Sequence, residues 1–302
     1  MSGRRTTSIA GDFSDICSVS PPARKLETHE LFDTTNAAPT KSPLDLFLGN
    51  ANRLNLLYLP GAQPFDPLMG TLILLGYVSA VESYIRAVVR GLINIDAYAK
   101  WSAKERQVSF GAALSYSHDL LPEALLERTS LASGDQIKKT FKDLIGVDLP
   151  VSELKAPLDT FERVCQLRHC CTHRFGRLGT YNAEKLGLDL HRVALDKPLK
   201  LDAASLTEIA DNLRILVKTL NRNTFAAVLK RTAQYAPSAP GRTPRDPDAF
   251  VFDVDWNWKF QKDRTRFLKY YNLFKTEDDA VPSLPARDLY DRFKAFHNRP
   301  RG

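Results

Sequence analysis

Apolar side chains recur at three- and four-residue steps along most of the chain, while alternation of period two is scarce. Leu74, Tyr77, Val78, Val81, Ile85, Val88 and Val89 form one stripe, which predicts a helix from about Pro67 to Asp96. Glu82 and Arg86 stand four apart on it, the spacing of a helical ion pair. Shorter helices are expected over Ser102–Leu114, His118–Leu131 with Pro122 in its first turn, and Ser133–Ile145, stopped by Gly146. Ser152 opens a long helix that reaches about His173, with Leu158, Phe161, Val164, Cys165 and Leu167 as its buried stripe. A connector from Gly179 to Leu201 follows, with a short strand or hairpin expected near Leu190–Ala194. Asp202 to Arg231 is the last long helix, its apolar face traced by Leu206, Ile209, Leu213, Ile215, Leu216, Leu220, Phe225 and Val228.

The punctuation of this pattern divides the chain. Residues 1–45 are rich in Ser, Thr, Pro and charge and are expected to be disordered or a loosely docked arm. Residues 46–235 carry the helical periodicity. The first part, 46–66, has short apolar pieces split by Gly49, Pro60, Gly61 and Pro64, read as a cap on the first helix or a weakly signalled strand. Residues 236–247 form a Pro-rich linker. Residues 248–302 are an aromatic-rich C-terminal extension ending in a short helix over Asp288–Phe296. The expected fold is all-α, a bundle of mostly antiparallel helices.

Composition changes this picture in two ways. The formal net charge of +7 over 302 residues favours an anionic partner such as nucleic acid. Three of the four cysteines, Cys165, Cys170 and Cys171, crowd into one segment, which is not a disulfide framework. The first residues contain no apolar core of a secretory signal. The most apolar stretch, Leu72 to Leu92, is interrupted by Glu82, Arg86 and Arg90. A cytoplasmic protein with reduced thiols, and with no membrane partner, is therefore expected.

The chemistry gathers in one segment, Leu167-Arg168-His169-Cys170-Cys171-Thr172-His173-Arg174-Phe175-Gly176-Arg177. Basic residues at a helix C-terminus offset the macrodipole, and that accounts for part of the cluster. Arg168 and His173 lie roughly 140° apart around a helix at about 100° per residue, so they converge only at the edge of a cleft or across two subunits. Imidazole can move a proton to or from a ribose 2′-OH or its leaving oxygen, and an Arg fork can stabilise a phosphate in transition. With the 2′-OH as internal nucleophile, such chemistry needs no metal.

The Arg168-x4-His173 spacing resembles the Arg-x4–6-His signature of the HEPN superfamily of helical nucleases. The string RHCCTHRFGR extends the resemblance, with His169 directly after the Arg and with Arg174 and Gly176 after the His. The position after the Arg is often Asn in that family, and His169 departs from it. GYVSAVESYIRAVV resembles the first helix of such domains, which puts Glu82 near the site. The resemblance spans about residues 67–232. It implies an endoribonuclease without cofactor, with Arg168 and His173 catalytic and His169, Arg174 and Arg177 binding phosphate. It also implies a homodimer whose motifs face each other, a toxin or phage-defence setting, RNA as the substrate, and a cognate antitoxin or regulatory protein. Some members are non-catalytic binders of RNA or protein.

Other readings compete for the same residues. His169 and His173 share a helix face and can hold zinc, yet Cys170 and Cys171 project elsewhere and no second ligand pair exists. A cysteine nucleophile lacks an oxyanion turn and an orienting group, and buried thiols are the simpler reading. Trp256, Trp258, Tyr270 and Tyr271, interleaved with Lys259, Lys262, Arg264, Arg266 and Lys269, suit stacking on single-stranded RNA. The preferred alternative for them is a small aromatic core that closes the extension onto the bundle. No P-loop, Rossmann fingerprint or Ser-His-Asp pattern is present.

Overall fold

The computed structural model describes residues 16–17, 20, 22–37, 39–58, 66–234 and 256–297. The Pro-rich linker expected at 236–247, and the first fifteen residues of the expected N-terminal arm, lie outside them. The chain divides into two units, Met1–Thr40 and Lys41–Gly302. In the first, the described residues are largely exposed and hold one short 3-10 turn, Thr28–Leu31.

The second unit is all-α, and no strand forms among the described residues. Its axis is α2 (Pro67–Ile95), opened by the Asp66 carboxylate, which accepts from the Leu68 amide, and by Pro67 in its first turn. All seven residues of its expected stripe are buried. α2 is long and apolar enough to cross a membrane by length and composition. Here it is a core helix, enclosed by α1 (Pro43–Asn55), α3 (Ala97–Ala103), α5 (Gly134–Ile145), α6 (Val151–Arg174), α9 (Ala203–Gln234) and α10 (Phe260–Phe274). At roughly 25 cal/mol per Å² of apolar surface removed from water, this burial is the main stabilising term.

Several elements follow their sequence signals closely. The Ser133 hydroxyl accepts from the Gln136 amide to cap α5, and Gly146 ends that helix in the left-handed region (φ +60). A side chain at Gly146 would collide with the Tyr98 ring, so glycine is required there twice over. α6 continues through Pro157, which falls early in the helix, and buries Leu158, Phe161, Val164 and Cys165.

Six expectations change. Residues 43–55 form α1, neither a strand nor part of an arm. Ser42 caps it, Pro43 starts it, and Leu44, Phe47, Leu48 and Ala51 make the stripe packed on α2. The helix expected over Ser102–Leu114 is two short ones, α3 and α4 (Phe110–Ser115). The helix expected over His118–Leu131 is a single 3-10 turn, Leu121–Leu125, followed by irregular chain. Arg86 holds that chain, donating to the carbonyls of Leu126 (2.8 Å) and Thr129 (3.2 Å), and it pairs with Glu123. The Glu82–Arg86 ion pair therefore does not form. The connector carries no hairpin at 190–194 but two short helices, α7 (Thr180–Leu186) and α8 (Leu188–His191). The pairing in this region lies elsewhere: Leu178 and Leu199 donate to Lys197 and Gly176, and a bridge joins Arg177 to Pro198. On α9, Ile215 falls off the stripe and is 55% exposed.

Residues 256–297 pack into the same core. α10 lies against α2 and α9, and α11 (Ala286–His297) closes over α10 and α9. Trp256, Phe267, Tyr290 and Phe293 form a mutually packed aromatic cluster. Trp256 donates to Thr232 (3.2 Å) and Tyr270 donates to Asp96 (2.8 Å). Trp256 and Tyr270 are thus buried, and they are not faces on which RNA bases could stack.

Candidate active site

The motif lies at the end of a fixed helix. Arg168, His169 and His173 all belong to α6, which keeps its helical path to Arg174. Thr71, near the start of α2, lies beside the Cys171 thiol, and α2 packs along α6. Leu158 to Cys171 supply the buried face. The remaining face presents Arg168 and His169, half-buried, and His173, exposed.

His169 and His173 are one turn apart, and their rings stack with centroids 5.9 Å apart and planes 16° from parallel. Burial lowers the His169 pKa from its ordinary value, and the neighbouring Arg168 and His173 add to that, while Glu162 opposes it. A neutral imidazole is the form that accepts a proton. The Arg168 carbonyl accepts from the Thr172 hydroxyl (3.0 Å), but its side chain makes no hydrogen bond or ion pair among the described residues, although it acts electrostatically on both His169 and Cys165. Because α6 does not fray before Arg174, Arg168 and His173 stay roughly 140° apart around its axis. His169, next to the one and stacked on the other, is the group that joins them.

The other expected residues are placed differently. Arg174 and Arg177 are drawn to one carboxylate. Arg174 pairs with Asp196 at 3.1 Å, and Arg177 donates to the Asp196 carbonyl at 2.8 Å. Asp196 sits at φ +58, a conformation that Asp tolerates better than most residues. Together with the Leu178–Lys197 and Leu199–Gly176 hydrogen bonds, this pins the approach to α9 against the end of α6. Both guanidiniums remain exposed. Glu82 is half-buried on α2, where it acts on the Cys165 thiol from the side opposite in charge to Arg168.

Two acids that the sequence reading did not single out shape the site. Asp196 is the first. The second is Glu162, which accepts from Gln166 (3.0 Å) and from the Gly134 amide (3.2 Å), while Gln166 accepts from Asn182 (3.0 Å). That chain links α5, α6 and α7 directly behind His169. The signal for it was the four-residue spacing of Glu162 and Gln166 on the helix. Nothing local flagged Asp196, whose partners lie 19 and 22 residues away.

Burial pushes all three α6 thiols up, that of Cys171 to about 11, so none is primed as a thiolate. Among the described residues no group of three His, Cys, Asp or Glu is placed to hold a metal ion. The arrangement can therefore accept a proton at His169, donate or accept one at His173, and offer a guanidinium to an anion. No family model, curated protein or solved structure matches this chain.

Proposed function

We propose that this chain is a HEPN-type endoribonuclease that cleaves RNA by attack of the ribose 2′-OH on the adjacent phosphate. The observation that carries the reading is the Arg168–His169–His173 constellation on the last turns of α6, with two stacked imidazoles and a guanidinium that has no partner among the described residues. One imidazole takes the 2′-OH proton and the other returns a proton to the departing 5′-oxygen. Arg168 stabilises the charge that grows on the phosphate oxygens. The products are a 2′,3′-cyclic phosphate and a 5′-hydroxyl, and the reaction needs neither metal nor cofactor. A homodimer that sets two motifs face to face would bring Arg168 of one copy to His173 of the other. A toxin or phage-defence role, with a cognate antitoxin or regulatory protein, is the biological setting this reading suggests.

The angular separation of Arg168 and His173 within one chain favours a second reading, a non-catalytic HEPN-like module that binds RNA or protein with the same basic face. Incubation of purified protein with a mixed RNA pool in EDTA separates the two. Under the nuclease reading, wild type yields cyclic-phosphate ends and His173→Ala loses about 10²–10⁴-fold in rate. Binding without cleavage by both proteins would transfer the assignment to the module.

A further inference from the structure

Three non-glycine residues among those described occupy the left-handed backbone region: Phe175, Asp196 and Trp258. Two have an evident local reason. Asp196 pairs with Arg174 and Arg177. Trp258 packs on Trp256 and Phe293, with ring centroids at 6.3 and 5.5 Å. At Phe175 the backbone closes α6, with the Gly176 amide returning to the Cys170 carbonyl (3.0 Å), but nothing in the packing calls for an aromatic side chain there. Phe175 sits at φ +50, is 80% exposed, and its ring touches no other ring among the described residues.

Its position makes this more pointed. Phe175 is the residue that ends α6, where glycine is the usual and least strained choice. A bulky aromatic there costs stability, and a strained residue beside a cluster of chemistry points to function. The ring projects into solvent two residues after His173, between Arg174 and Arg177. Tyr181, 65% exposed, stands on α7 beyond Gly179, which lies against the Arg174 side chain, and the Lys185 ammonium covers its ring at 5.7 Å. Exposed rings interleaved with cations suit a nucleic-acid strand. Its bases offer faces for stacking while its phosphates meet the charges.

We propose that Phe175 is a stacking platform for an unpaired nucleobase next to the scissile phosphate, a positioning residue that holds the strand over His169 and His173. This rests on the ribonuclease reading above. Binding can be measured by fluorescence anisotropy with a short single-stranded 2′-O-methyl RNA, which cannot be cleaved because its nucleophile is blocked. Thermal melting is followed alongside. Phe175→Gly should weaken binding by about 5- to 150-fold, the range for loss of one base–aromatic stack. Its melting temperature should be unchanged or higher, because the left-handed strain is relieved. Phe175→Trp should restore binding. An RNA carrying an abasic position should lose affinity for wild type and not for Phe175→Gly. Wild-type binding by Phe175→Gly would overturn the platform, while cleavage in EDTA by wild type would leave the ribonuclease reading intact. A lower melting temperature, or conversion of a dimer to a monomer in light scattering, would make Phe175 a packing or subunit contact instead. A wild type that neither binds nor cleaves RNA would end both readings.

Discussion

Arg231 and Arg168 are both arginines on core helices, yet the protein treats them in opposite ways. Arg231, near the end of α9, is buried. It pairs with Asp96, donates to the Ile145 carbonyl (2.7 Å) and lies over the Tyr98 ring at 4.8 Å. Asp96 also caps α3 through the Ala99 amide and accepts from Tyr270, whose hydroxyl pKa is pushed up by burial and by that carboxylate. One acid and one base thus join α2, α3, α5, α9 and α10. The Arg168 guanidinium has no hydrogen bond or ion pair among the described residues and acts electrostatically on His169 and the Cys165 thiol. A guanidinium that is enclosed and paired through both of its terminal nitrogens holds helices together. One left at a helix end without a counter-ion is available to a ligand.

The contrast breaks most visibly at the buried pair. Arg231→Leu leaves the Asp96 charge without compensation and should cost about 3–5 kcal/mol in chemical denaturation. Arg168→Gln should change stability little and instead reduce RNA cleavage. Equal losses of stability from the two would erase the distinction.

Asp196 provides an intermediate case. Its ion pairs with Arg174 and Arg177 are exposed, so Asp196→Asn, which keeps a residue suited to the left-handed backbone, should cost less than about 1 kcal/mol. If the freed guanidiniums turn to phosphate, RNA binding tightens. Its salt dependence then steepens by about 0.7 in the logarithmic slope for each new contact. An unchanged slope would mean that Asp196 only shapes the loop.

The smallest effect is electrostatic. Burial, with Arg168 and His173 adding to it, lowers the His169 pKa from 6.5, so more than half of it is neutral at that pH. Removing the charge in Arg168→Gln should move the His169 titration back towards 6.5, as read by NMR. The sign for stability follows. Because the folded pKa is depressed, the contribution of His169 is intact above 6.5 and is lost as the pH falls through the folded value. Arg168→Gln should soften that loss. A titration that does not move would place Arg168 too far from the ring to govern it.

Sequence and structure agree where the controlling forces are local. Ser133 and Gly146 bracket α5, and the stripe from Leu74 to Val89 needed only a helix to bury it. α1 carried a stripe of the same kind, Leu44, Phe47, Leu48 and Ala51, with Ser42 and Pro43 at its start, but Gly49 and the neighbouring prolines hid it. Residues 118–131 read as helical because their apolar spacing is helical. Arg86, more than 30 residues away, takes two of their carbonyls and holds them in turns. In the same way, that Arg168, His169 and His173 share one helix could be read from spacing alone. Their relation to Glu162, and the engagement of Arg174 and Arg177 by Asp196, depend on contacts that no local pattern encodes.

The thiols of α6 have a consequence of another kind. Cys165, Cys170 and Cys171 are closed to solvent along the same turns that carry the motif, whereas Cys17 is open. Any excursion that unwinds the end of α6 would be written into the chain as a permanent covalent mark by an alkylating reagent. The order in which positions 171, 170 and 165 are modified would then give the direction in which the helix opens. The protein thus carries a built-in recorder of the element that bears its proposed chemistry, and Cys17 supplies the reference rate for a thiol that is never shielded.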